Sequence, residues 1–197
     1  MPKQRLRSRG LGLAVLVLLG ACAHRQTATR DTRVSLGEEA YINLGPVNEI
    51  LPPVQLVQVL TVDYADKKRS SQVVLEARDG HLKVTALMPF GGEAFRIEYA
   101  NGEITSRSLP LGADSLDLKF ALADVILVYA PRTVLLKWLS PGIRVEDGPG
   151  RRVLRTASKT LIEIDYSVAD PLAAEIHYRH LLRNYRIHIK PVSQRKL

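Results

Sequence analysis

Five histidines, one cysteine and a scatter of carboxylates are the residues of this 197-residue chain with the clearest capacity for chemistry. The histidines are His24, His81, His177, His180 and His188, and only His177 and His180 are close in sequence. On a strand a spacing of three sends side chains to opposite faces, and no second cysteine joins Cys22 to complete a zinc set, so no metal site is expected. Asp63, Asp66, Glu163 and Asp165 offer same-face carboxylate pairs if their strands are regular, but nothing of recognisable spacing accompanies them. Ser140-Pro141-Gly142 lacks the strand-to-helix setting of a nucleophile elbow, and Gly10-Leu11-Gly12 lies in an N-terminal apolar run. The sequence therefore assigns no catalytic residue, no metal and no cofactor, and reads as a non-enzyme.

Cys22 is informative through its position. Lys3, Arg5, Arg7 and Arg9 precede an uncharged stretch from Leu11 to Ala21, a basic segment followed by an apolar one of signal-peptide length that is short for a membrane span. Its end, Leu19-Gly20-Ala21-Cys22, resembles the bacterial lipobox, in which small residues precede a cysteine acylated on sulfur. The expected organisation is a signal peptide over 1–21, a lipidated N-terminus and tether over 22–45, and a folded domain over 46–197. Membrane lipid is then a partner through acylated Cys22. Ala23 stands where inner-membrane lipoproteins commonly carry aspartate, so resemblance to enterobacterial sorting implies the periplasmic face of the outer membrane.

Removing the leader takes four of the 28 basic residues and none of the 20 acidic ones, so the net charge falls from +8 to +4. Nucleic acid is not an expected partner, since aromatic residues for base stacking are sparse and the positive bias is confined to residues 132–197. That bias fits either a solvated strand face or a patch toward anionic lipid.

The elements that must position any site follow from periodicity. Residues 23–45 read as polar and weakly periodic, with a short helix near Leu36 to Leu44. Leu56 to Tyr64 reads as a strand; Gln72 to Arg78 and His81 to Leu87 flank Asp79-Gly80, and Glu93 to Ala100 and Glu103 to Ser108 flank Asn101-Gly102, both suited to tight hairpin turns. Leu118, Leu122, Val125, Ile126 and Tyr129 share one helical stripe, Pro131 interrupts it, and a second helix runs from Arg132 to Leu139. Ile143 to Asp147, Arg152 to Thr156, Thr160 to Ser167, Glu175 to Leu181 and Tyr185 to Lys190 read as further strands.

This layout, with the turn Met88-Pro89-Phe90-Gly91-Gly92 leading into Phe95-Arg96-Ile97-Glu98-Tyr99, the section from Leu122 to Trp138, and Ile162-Glu163-Ile164-Asp165-Tyr166 followed by Tyr185-Arg186-Ile187, resembles LolB-like lipoproteins. More narrowly it is similar to uncharacterised lipoproteins of aryl-polyene biosynthesis clusters. The resemblance implies an α+β fold, a mainly antiparallel sheet curved into an unclosed half-barrel and covered by helices from a central insertion. It also implies a hydrophobic small molecule or acylated cargo in the cavity, and a periplasmic carrier protein as a partner. The expected walls are Val74, Leu82, Val84, Phe95, Ile97, Tyr99, Leu122, Ile126, Ile162, Ile164, Ile187 and Ile189, each of which an ordinary core would also place inside. Met88 and Phe90 are candidates for a membrane-contact loop or, alternatively, a buried crossover. The function expected is binding or transfer of hydrophobic cargo. An assembly lipoprotein with a solid core and an envelope enzyme acting on a lipid-linked substrate are the alternatives.

Overall fold

The computed structural model describes residues 25–109 and 117–197. Cys22, with its expected acylation, and the expected signal peptide lie outside the described residues. Thirteen strands and three helices are arranged in chain order as β1 (Arg25–Thr29), β2 (Arg33–Gly37), β3 (Ala40–Asn43), α1 (Val47–Ile50), β4 (Val54–Tyr64), β5 (Lys67–Arg78), β6 (His81–Leu87), β7 (Glu93–Ala100) and β8 (Glu103–Ser108), followed by α2 (Leu118–Tyr129), α3 (Arg132–Trp138), β9 (Arg144–Gly148), β10 (Arg151–Arg155), β11 (Thr160–Tyr166), β12 (Ile176–His180) and β13 (Tyr185–Lys196).

Eleven strands form one antiparallel sheet in the order β1-β8-β7-β6-β5-β4-β13-β12-β11-β10-β9. Two meanders, β4 to β8 and β9 to β13, meet at β4 and β13, which pair from Tyr64 with Tyr185 to Val54 with Lys196. Pro191 cannot donate to a ladder, and the register shifts between Pro191 and Ser193. The outer edges, β1 and β9, do not pair with each other, so the twisted sheet is an unclosed half-barrel of the α+β class.

Tight turns fix the register. Asp79-Gly80 and Asn101-Gly102 both have positive φ at their two central residues and are flanked by the pairs Arg78 with His81 and Ala100 with Glu103. Ala65-Asp66 does the same between Tyr64 and Lys67 without a glycine, which carries β5 back to Lys67, well before the Gln72 expected from the sequence. Asp66 therefore sits in a turn, so it shares no strand face with Asp63 as a carboxylate pair.

The register also corrects one wall residue. Ala77 opposes the inward Leu82, so Val73, Leu75 and Ala77 face inward and Val74 faces outward. Adjacent valines at 73 and 74 left the parity of this strand open to hydropathy; the two-residue turn settles it.

The expected tether is a second correction. β1 pairs with β8 from Arg25 with Ser108 to Thr29 with Ile104, and β2 and β3 form a hairpin where a helix was expected. Val34, Leu36, Ala40, Ile42 and Leu44 are buried in a period-two pattern; this roof meets the first meander through α1, against β5 and β6, and the second through the hairpin, against α2, Leu139 and the β12–β13 turn. Tyr99 on β7 donates its hydroxyl to the carbonyls of Leu44 and Gly45, tying this roof to the sheet. Gly45 is required by a close approach: a Cβ there would lie 2.3 Å from the Trp138 ring.

The second meander is roofed by α2 and α3. Asp117 caps α2 by accepting the Lys119 N–H at 3.0 Å, and Pro131 starts α3 where its missing N–H costs nothing. Both roofs and the inner sheet face belong to one continuous apolar core.

Candidate functional site

The inner face brings most of the expected wall residues together. Leu82, Val84, Ile97, Tyr99, Leu122, Ile126, Ile162, Ile164 and Ile189 are buried in the same cluster, with Phe95 and Ile187 partly buried at its border. Phe95 opposes Ala86 because Ala94 is an extra residue beside the register shift at Leu87. Ile97, Leu122, Ile126, Ile162 and Ile164 are each 0% exposed, which leaves no water-sized void against them. These side chains fill the space between helices and sheet.

Polar groups tie α2 to that face. Asp124, the sole charged residue on the inner side of an otherwise apolar helix segment, accepts the Tyr178 hydroxyl at 2.5 Å and the Tyr185 hydroxyl at 2.7 Å. Burial raises its carboxyl to about 6 against the pull of the two phenols. The same desolvation, with the neighbouring carboxylate, pushes both phenols up. Gln58 donates to the Tyr129 hydroxyl at 2.6 Å, and Tyr166 donates to the Val128 carbonyl at 2.8 Å; burial raises each of these tyrosines to about 12. Arg152 donates to the Leu127 and Ala130 carbonyls, both at 2.8 Å, and forms a fork onto Asp147 at 2.9 and 3.0 Å. It thereby satisfies carbonyls at the C-terminal end of α2.

His177 and His180, closely spaced in sequence, form no site with each other or with Ser140. His177 is exposed and His180 buried, on opposite faces as spacing requires. His180 accepts the Arg183 N–H at Nδ1, while burial lowers its basicity to about 4. Glu163 and Asp165 do share the outer face, where Arg151 and Arg179 reach Glu163 at 2.8 Å and Asp165 at 3.6 and 3.5 Å. Ser140 is a fastening: its hydroxyl accepts the Tyr41 N–H, and its own N–H donates to the Tyr41 carbonyl.

The two ends of the strands differ. At one end lie two adjoining depressions of about 440 and 430 Å³ that share Arg78, Asp79, Arg195 and Leu197, the first adding Pro53 and Lys196 and the second Glu76, His81 and Lys83. None of the expected wall residues lines them. At the other end the β6–β7 turn is closed by Met88 N–H to the Gly92 carbonyl and Gly91 N–H to the Met88 carbonyl, both 3.0 Å. Gly91 and Gly92 supply positive φ, Met88 packs against the core, and Phe90 is fully exposed at the tip. Of the two placements open for this segment, Phe90 takes the projecting one and Met88 the packed one.

Asp124, Gln58 and Arg152 were not singled out by sequence reasoning. A carboxylate inside an apolar helical run was a readable signal for Asp124. Gln58 and Arg152 required the strand register.

An open antiparallel sheet wrapped on two roofs, with an apolar interior and no convergent catalytic constellation among the described residues, defines an α+β half-barrel protein. The chain belongs to DUF3261, a family described as proteins of unknown function, which matches residues 55–193. Among solved structures, it is similar to a DUF1329 family protein from Desulfovibrio piger at 10% identity and a TM-score of 0.42, over 73% of this chain and 85% of that one. No curated protein matches.

Proposed function

We propose that this protein is a lipid-anchored component of the bacterial outer membrane that docks one end of its half-barrel on the periplasmic leaflet and receives or hands over a hydrophobic molecule there. The observation that carries the reading is that the start of β1 and the exposed Phe90 turn lie at the same end of the strands. Arg25, three residues after Cys22, pairs with Ser108, which pairs in turn with Phe95, five residues after Phe90. Neighbouring strands are about 4.8 Å apart, so β1 and β7 are separated by about 10 Å, and three extended residues reach about 10 Å more. An acyl anchor on Cys22 and the Phe90 tip can then meet one membrane surface. Burying one phenylalanine is worth roughly 1.5–3 kcal/mol, which orients a protein that acyl chains already hold.

The interior is filled, so cargo enters when α2 and α3 move off the sheet. Their ties to Tyr178, Tyr185, Gln58 and Arg152 resist that motion, and an acyl or polyene tail would replace the apolar contacts of α2. An aryl-polyene product and an acylated protein are the cargo classes suggested by the resemblance, with a periplasmic carrier as donor. The filled core favours a second reading, an assembly lipoprotein that recruits envelope partners through its surface.

Native mass spectrometry of the full lipidated protein released from its source envelope separates the two. An apolar species retained beyond the acyl chains is expected. Absence of one in the wild type and in Tyr185→Phe, where the α2 tie is loosened, refutes transfer and leaves the assembly reading. Docking is tested apart from cargo: Phe90→Ser in the unacylated body, residues 23–197, should reduce flotation with anionic vesicles without lowering the melting temperature. Unchanged flotation refutes the Phe90 contact.

A further inference from the structure

The outer face of the second meander carries a constellation that the linear spacing of the histidines conceals. His177 on β12 and His188 on β13 are direct partners across the antiparallel ladder, and their rings stack at 4.3 Å between centroids with planes 8° apart. Glu175 lies two residues before His177, on the same side of the chain, and its carboxylate bonds His188 Nε2 at 2.5 Å. One ligand atom from each of the three residues lies within 4.8 Å of the others.

We propose that Glu175, His177 and His188 bind a divalent transition-metal ion, with Zn²⁺ as the representative. Two neutral imidazoles and one carboxylate form a donor set suited to zinc, copper or nickel, whereas magnesium and calcium prefer all-oxygen ligation. Zinc holds such ligands at about 2.0–2.2 Å, so atoms already within reach of one another need small side-chain rotations to surround it. The two rings tilt out of their stack, and the carboxylate exchanges the imidazole N–H for the metal. The proton of any N–H that becomes a ligand passes to solvent.

The backbone beneath the site is held in place. The Glu175 N–H donates to the Ser167 hydroxyl at 2.8 Å, and the Ser167 N–H donates to the Glu175 carbonyl at 2.9 Å. His177 and His188 sit inside ladders on both sides, against Asp165 and Thr61. His177 is exposed, while Glu175 and His188 are half-buried, leaving an open side for a water as fourth ligand.

This inference does not depend on the membrane role. The test is calorimetric titration of Zn²⁺ into the full-length protein, purified in detergent without a histidine tag, with Mg²⁺ as the negative control. One Zn²⁺ per chain is expected, and the imidazole nitrogens of His177 and His188 should shift in two-bond ¹H–¹⁵N spectra while His180 stays put. His188→Ala and His177→Ala should each weaken binding by roughly tenfold or more, and Glu175→Gln should weaken it while circular dichroism stays unchanged. Absence of zinc binding, affinity unaltered in the His177→Ala/His188→Ala double variant, or binding abolished by His24→Ala would overturn the assignment.

Discussion

Replacing Asp124 by asparagine should remove a specific pH dependence of stability. The carboxyl is buried between α2 and the sheet, and its value rises from the ordinary 3.8 to about 6 in the folded protein. Between those two values the native state retains a proton that the unfolded chain has lost, so unfolding releases one, and stability falls as pH rises. Below about pH 4 both states are protonated and the group is neutral in its effect. Above about pH 6 both are ionised, and burying the charge costs about 3 kcal/mol relative to the protonated form. The groups facing it are the hydroxyls of Tyr178 and Tyr185, with the Arg183 charge nearby. Urea unfolding of wild type and Asp124→Asn at intervals from pH 4 to 8 isolates the effect, because other titrating groups cancel in the difference. The wild type should lose about 2–3 kcal/mol relative to the variant across that range. A flat difference, or a wild type that gains on the variant as pH rises, would refute the placement of an ionisable carboxyl in this tie.

Two further substitutions probe how the roofs are fastened. Gly45→Ala sets a methyl group against the Trp138 ring and should cost about 1–3 kcal/mol by overpacking, seen as a lower melting temperature. Arg152→Ala leaves Asp147 and the α2 carbonyls without their donor and should cost about 3–5 kcal/mol in urea unfolding, with Arg152→Lys recovering only part.

The meanders, their glycine turns and the helix break at Pro131 were legible because each is local: a two-residue turn with a suitable pair, or a proline that cannot continue a helix. Residues 25–44 were misread because polar residues interrupt their alternation. Only the place of the β2–β3 hairpin against α2 and Leu139 explains why Val34, Leu36 and Ile42 are buried. The interior residues were found by alternation, except where Val73 and Val74 made parity ambiguous. That they fill the interior was beyond hydropathy, since a wall and a core have the same pattern. Cross-strand partnerships such as His177 with His188, eleven residues apart, depend on a register that spacing alone does not reveal.

The meeting of β4 and β13 makes the middle of the sheet its last part to be completed during synthesis. Val54 waits for Lys196, so the long inner edge of the first meander stays unpaired until nearly the whole described chain is available. No prefix of the described chain that stops short of β13 can complete the sheet early. The same arrangement has a hazard: a chain stopped before Tyr185 presents β4 as an open edge to any neighbouring strand.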